Sequence, residues 1–373
     1  MRFIHIASFS GNVGDIINHE GFYSSVLKNV DIDKIEIRKF YRNSNELHFD
    51  RDILHLINSY DGLIIGGGGF FDVRWNDSET GTTFDMSNKF LEGIEIPVLV
   101  NAMGIHIEDL ANKVAINKFI SFLEKIIKND KWMITLRNDG SYSRLKSIYN
   151  NQDATIKVVP DNGFAFPQVK YKGDSRIVGL SITNDLFNKD FNGNISTDEF
   201  NKQISELCRY ILAQNNDIIF FLHAPQDIQV IYWIYNYLGN ERFRRRIKIA
   251  PYDVYTIEGA NLLNQLYSTC KYIVAMRFHG NVLAIKNYVP VIGLAGHEQI
   301  LGLYQELGLT DQCVVVNENF WDEMISLINL MEANPHQYSD KERKVFENIV
   351  SEQKEYSCCV ENFFNKSFRR TNQ

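Results

Sequence analysis

The chain has 373 residues, of which 45% are hydrophobic and 23% charged, with a net charge of −7. At roughly 100–200 residues per domain, this length asks for about two domains, each able to bury a sizeable core. The acidic balance excludes broad nucleic-acid binding, which needs a basic surface to neutralise phosphates, so any anion site must be local.

The start, Met1-Arg2-Phe3-Ile4-His5-Ile6-Ala7, is a short strand-like run broken by His5 and followed by Gly11 and Gly14, unlike the apolar core of a signal peptide. No stretch reaches the roughly 18 apolar residues that span a membrane, so a cytoplasmic location is expected. Strand-like runs then recur at Arg2–Ser8, Lys34–Phe40, Gly62–Ile65, Pro97–Met103, Trp132–Leu136 and Ile156–Val159. A polar break at Tyr171-Lys172-Gly173-Asp174 follows Pro160 and Pro167. The second series is Arg176–Ile182, Asp217–His223, Arg246–Ala250, Lys271–Met276, Val289–Leu294 and Cys313–Val316. Amphipathic helical patterns such as Ala111–Ile127, Thr197–Ala213 and Thr256–Ser268 lie between the runs.

Apolar runs alternating with helices indicate parallel sheets covered on both faces. The fold class is therefore α/β, with two Rossmann-like domains facing across a cleft. The expected division is 1–172 for the first domain, 173–336 for the second, and 337–373 for a charged helical segment that packs back on the first. The five cysteines are scattered and lack a CxxC spacing, and no HExxH, EF-hand loop or dense carboxylate cluster occurs. Neither a disulfide framework nor a protein metal site is expected, and no cofactor.

Several strand ends carry chemistry. Arg277-Phe278-His279-Gly280 follows the run Lys271–Met276 directly. An arginine beside a histidine is costly in a core and useful at a cleft, where one grips an anion and the other moves a proton. The first loop contains Gly11, Asn12, Gly14 and Asp15, where glycines admit a ligand and a helix start favours an anion; the alternative is a tight turn capped by Asp15. The run Gly66-Gly67-Gly68-Gly69 reads as a ligand loop, followed by Phe70, Phe71, Asp72, Arg74 and Trp75. Those aromatics either stack on a sugar or anchor the loop. Arg137 ends the run Trp132–Leu136 and presents a planar fork to an anion or serves as an ion-pair partner. His106 and His223 sit just past strands, where a structural role competes with a place in the cleft.

Taken in order, Gly11-Asn12-Val13-Gly14-Asp15, Gly66–Gly69, Leu136-Arg137-Asn138-Asp139-Gly140-Ser141, Pro160-Asp161 and Met276-Arg277-Phe278-His279-Gly280-Asn281-Val282-Leu283-Ala284 resemble the polysaccharide pyruvyltransferase family. The resemblance runs from about residue 10 to Gly308. It implies a GT-B-like fold and transfer of a pyruvyl group from phosphoenolpyruvate to a sugar or a lipid-linked oligosaccharide acceptor, forming a ketal. The latter acceptor would bring the protein to a membrane surface peripherally. Carried onto matching positions, Arg277 and His279 are the donor-binding and catalytic pair, and Arg137 is a second anion-binding arginine. The glycines Gly67, Gly68, Gly69 and Gly280, together with His223, complete the expected binding surface. One departure is visible: where family members often have a lysine this chain has Gln299, and His297 is the candidate to take over part of that role.

Two rival readings share these features. A GT-B glycosyltransferase would hold a nucleotide sugar with the same arginine and helix N-termini, and a sugar- or anion-binding protein would use a similar cleft without turnover.

Overall fold

The computed structural model describes every residue except 29, 38–46, 108–109, 111, 151–155, 172–175, 185–190, 192, 194, 239–244 and 372–373. The chain forms two compact units. The first comprises Met1–Phe9, Asn18–Ala165 and Ser351–Gln373, and the second Ser10–Ile17 and Phe166–Val350. The break Lys172–Asp174 and most of the segment 184–194 lie outside the described residues, as do positions 38–40 of the second expected strand.

Among the described residues the first unit carries β1 (Arg2–Ala7), β2 (Asp31–Glu36), β3 (Gly62–Val73), β4 (Val98–Ile107), β5 (Trp132–Arg137) and β6 (Lys157–Val159). Their order is β2-β1-β3-β4-β5-β6, and every pair is parallel. The second unit carries β7 (Ile177–Ser181), β8 (Asp217–Phe220), β9 (Ile247–Ile249), β10 (Tyr272–Ala275), β11 (Val291–Ala295) and β12 (Cys313–Val315). Here the order is β12-β11-β10-β7-β8-β9, again parallel throughout. That is the doubly wound order, in which the chain direction across the sheet reverses between β7 and β10.

Helices cover these sheets because their apolar residues recur at helical spacing. In the helix Thr197–Ala213 the Ser196 side chain accepts the Glu199 N–H, and Asp198 and Glu199 complement the positive end of the helix. Phe200, Ile204, Leu207, Cys208 and Ile211 line one face and are wholly buried against the second sheet. Burial of each large apolar side chain is worth about 1.5–3 kcal/mol. The final helix, Pro335–Thr371, contributes from Ser351 onward to the first unit. Its Tyr356, Val360 and Phe364 share a buried cluster with Phe3, Phe22 and Leu99, and the Phe364 and Phe3 rings meet edge to face at 4.7 Å. No described helix is long and apolar enough to cross a membrane.

The glycine run corrects the sequence reading. Gly66–Gly69 does not form a loop after a strand; it lies inside β3, which continues to Val73. Gly66, Gly67 and Gly68 have φ of 91°, 87° and 156°, and the register against β4 shifts between Gly68 and Phe71. The run is thus an irregular strand that side chains close over: a Cβ at Gly66 would lie 2.4 Å from Met103 Cε, and one at Gly67 would lie 2.6 Å from Asn18 Oδ1. His5 Nε2 is hydrogen-bonded to Gly66 O at 2.8 Å and His5 Nδ1 to Tyr23 OH at 2.7 Å. Phe70 and Phe71 are buried with Phe84 and Phe119 in the first unit's core, so they anchor the strand and present no face to a sugar. His106 is likewise inside β4, one residue from its end.

Candidate active site

In open α/β sheets, ligands bind outside the carboxyl ends of the strands where the strand order reverses. In the second unit that point lies between β7 and β10. Arg277 follows β10 there, in extended backbone, and caps the helix Phe278–Lys286. Its Nε donates to both carboxylate oxygens of Asp227, at 3.1 and 3.2 Å, and its Nη2 donates to Asp227 Oδ1. The same Nη2 donates to Thr183 Oγ1 at 3.1 Å. Three strand ends therefore meet at one guanidinium, since Thr183 follows β7 and Asp227 follows β8. Asp227 is fully buried and also accepts the backbone N–H groups of His223 and Ala224 at 2.9 and 3.1 Å. An arginine fork plus two amide donors satisfies the hydrogen-bonding capacity of this buried carboxylate. Sequence reasoning passed over Asp227. Its signal is the turn Ala224-Pro225-Gln226-Asp227 placed just beyond a strand end.

His279 lies in the first turn of the Arg277-capped helix and is half-buried. Gly14, in the first turn of the helix Val13–Ser25, packs directly on it: a Cβ there would lie 2.2 Å from His279 Nδ1, so no larger residue fits without displacing one of them. The Asn12 side chain accepts the Gly14 N–H at 2.8 Å at the start of this helix. Asp15 is buried behind it, and Gly11 makes the preceding turn with φ of 80°. The Val13 N–H donates to His223 O at 3.0 Å, which fixes the loop to the β8 end.

His223 is buried and its Nε2 is hydrogen-bonded to Tyr267 OH at 2.8 Å. Burial first, then the positive fields of Arg277 and His279, hold its imidazole well below the ordinary range, so it is neutral near pH 7. Gly280 lets Tyr267 and Ser181 close in, since a Cβ would come within 3.0 and 3.2 Å of their hydroxyl oxygens. The second unit thus brings together Arg277, His279, Gly280, His223, Asn12 and Gly14. His297 is used differently: it caps the helix Glu298–Glu306, its Nδ1 accepting the Gln299 N–H at 3.1 Å.

Arg137 ends β5 in the first unit and is 3% exposed. Its Nε and Nη2 donate to Asp139 Oδ2 at 2.8 and 2.7 Å, and Nη1 to Asp161 Oδ2 at 3.4 Å. Asp161 Oδ2 also accepts from Asn18 Nδ2 at 2.8 Å, and Asp139 Oδ1 accepts from Arg144 Nη2 at 3.2 Å. Burial opposes the charge of Arg137, but Asp139 and Asp161 more than offset it and raise the guanidinium above its ordinary value. Gly67 packs against Asn18, Gly104 against the Arg137 guanidinium, and a Cβ at Gly69 would meet nothing within 4 Å. A continuous path therefore runs from Gly67 through Asn18 and Asp161 to Arg137.

Two parallel α/β units of this kind define a GT-B-like fold, and solved structures of that class are similar to the chain. A UDP-GlcNAc 2-epimerase from Methanocaldococcus jannaschii is 16% identical with a TM-score of 0.50, over 88% of this chain and 92% of that one. An alpha-glucosyltransferase in complex with UDP is 12% identical with a TM-score of 0.52, over 97% and 98% of the two chains. At such identities the likeness extends to the fold alone. A search of curated proteins gives no match. The model of the family described as polysaccharide pyruvyl transferase matches residues 14–298. The chain belongs to that family and is a transferase whose acceptor is a sugar. The match opens on Gly14, takes in Arg137, Arg277 and His279, and closes one residue before Gln299.

Proposed function

We propose that the protein transfers the pyruvyl group of phosphoenolpyruvate to two hydroxyls of an acceptor sugar, forming a pyruvate ketal. The observation that carries this reading is the pairing of Arg277 and His279 at the carboxyl end of β10, with the loop from Gly11 to Asp15 packed on the histidine. A donor bearing a carboxylate and a phosphate suits an arginine set at a helix N-terminus. In the proposed sequence His279 delivers a proton to the enol methylene, making the methyl group, as a sugar hydroxyl oxygen bonds to C2. The C2–O bond to phosphate then breaks, with Arg277 stabilising the departing charge. A second hydroxyl bonds to C2, and the hydroxyl protons restore His279 and leave with phosphate. The buried, neutral His223 holds Tyr267 and the first loop in place around this centre and does not add a second positive charge. Arg137, enclosed by two carboxylates, is proposed to shape the first unit's glycine-strand surface.

The test is calorimetric titration of the purified protein with phosphoenolpyruvate, and separately with UDP- and GDP-sugars, alongside Arg277→Lys. Saturable phosphoenolpyruvate binding, weakened by about 10-fold or more when the planar fork is replaced by a point charge, is expected. Binding of a nucleotide sugar without phosphoenolpyruvate would move the assignment to a glycosyltransferase.

A further inference from the structure

Among the described residues, the aromatic side chains that stand out into solvent belong to the second unit. Among the described residues the large hydrophobic side chains that stand out into solvent include just three aromatics, Tyr232, Tyr252 and Tyr255, at 71%, 42% and 60% exposure. The other described Phe, Tyr and Trp rings are buried or half-buried, as expected for residues that each bring about 150–250 Å² of surface.

Two of the three belong to one built turn. Tyr252 follows β9, which pairs in parallel with β8 so that Phe220 faces Ile249, and the Ala250 N–H donates to Phe220 O at 2.9 Å. The segment 251–256 therefore leaves the sheet at the same carboxyl edge as the segment from His223 to Asp227. Within it, Asp253 Oδ1 accepts the Tyr255 N–H at 2.9 Å and Asp253 Oδ2 accepts from the Thr256 hydroxyl. Thr256 in turn caps the helix Ile257–Tyr267, accepting the Gly259 N–H at 3.1 Å, and Gly259 is packed so closely on Asp253 that a Cβ would lie 2.3 Å from its carbonyl oxygen. Val254, 1% exposed, plugs the turn into the unit between the two outward tyrosines. The phenol of Tyr252 is raised by burial first and then by the fields of Tyr255 and Asp227, consistent with its place at the sheet edge that also carries the carboxylate holding Arg277.

A rigid turn that holds two rings out of the core costs burial energy and gains nothing for folding. The two tyrosines are amphipathic phenols flanked by the exposed aliphatics Ile249 and Ile257, and the exposed or half-buried charges of segment 251–258, Asp253 and Glu258, are acidic, so an anionic membrane surface is a poor occupant. A pyranose ring fits: its C–H face stacks on an aromatic ring and its hydroxyls find acceptors among carboxylates. We infer that Tyr252 and Tyr255 form a stacking platform for a pyranose ring of the acceptor chain, next to the residue that receives the pyruvyl group. This rests on the assignment of Arg277 and His279 as the reacting centre.

The experiment applies the full-length protein, wild type and Tyr252→Ala/Tyr255→Ala, to an array of immobilised hexose and N-acetylhexosamine oligosaccharides, with phosphoenolpyruvate titrated calorimetrically into both. The expected result is an array signal that falls by about tenfold or more in the double variant, returns in Tyr252→Trp/Tyr255→Trp, and leaves phosphoenolpyruvate affinity within about twofold. Equal signals from wild type and variant, or no signal from the wild type, overturn the platform. Tyrosine-dependent glycan binding by a protein that ignores phosphoenolpyruvate upholds the platform while removing the proposed donor.

Discussion

Arg137 and Arg277 occupy matching places, each at the carboxyl end of a parallel strand, one in each sheet, and the surroundings of the two differ in kind. Arg137 is enclosed by Asp139 and Asp161, with Arg144 sharing Asp139, so two cations and two carboxylates neutralise one another inside the first unit. Arg277 is held by the carboxylate of Asp227 and the Thr183 hydroxyl, beside the half-buried His279. A third buried cation completes the series. Lys286, at the end of the helix that begins after Arg277, is wholly buried, and its Nζ has no hydrogen-bond partner among the described residues; the Phe166 ring centre is 5.9 Å away. These three cations should respond to substitution in different ways: stability for Arg137, binding and turnover for Arg277, pH dependence for Lys286.

The largest effect belongs to the centre beside Arg277. His279→Ala should fold normally and lose about 10²–10⁴-fold in phosphate release from phosphoenolpyruvate with a competent acceptor, the usual contribution of general acid–base catalysis. An unchanged rate would remove the histidine from the reaction. Next, Arg137→Met leaves Asp139 and Asp161 buried with their main partner gone, so unfolding free energy should drop by about 3–5 kcal/mol in a denaturant titration. If that variant were instead stable and specifically defective in phosphoenolpyruvate binding, the two arginines would share one role and the contrast would fail.

The smallest effect concerns Lys286. Burial lowers its folded pKa from 10.5 to about 7. Between those pH values the unfolded chain binds more protons than the folded one, so stability rises as pH increases from 7 toward 10.5, by at most about 1.4 kcal/mol per pH unit. Below pH 7 both states carry the proton and the penalty is constant. Lys286→Met should therefore be the more stable protein at pH 7 and show a flatter dependence through that window, read from denaturant midpoints at pH 7, 8 and 9. Parallel profiles for the two proteins would mean that Lys286 keeps its charge in the fold.

Local pattern carried a large part of this molecule. Apolar runs with helical patterns between them gave parallel α/β units, because a strand buried on both faces has no polar alternation to show. The family motifs singled out Arg277, His279 and Arg137, since charged residues at strand ends are conspicuous in an otherwise apolar run. The glycine run misled for a physical reason: positive φ serves an irregular strand covered by Met103, Asn18 and His5 as well as it serves a ligand loop, and composition does not distinguish them. Whether Phe70 and Phe71 stack on a sugar or anchor the chain stayed open in the sequence for the same reason, because the extension of β3 that buries them depends on pairing with β4.

By itself, then, the amino-acid sequence determined the class of fold, the family and the residues at the ends of the strands, because these rest on periodicity and on short contiguous motifs. The tertiary structure decided which of them act together. The strand order β10-β7-β8-β9 sets Thr183, Arg277, Asp227 and the Tyr252–Tyr255 turn along one edge. It also seats Gly14 against His279 across more than 260 positions of chain. Such pairings depend on long-range strand order and packing, which leave no local periodic trace.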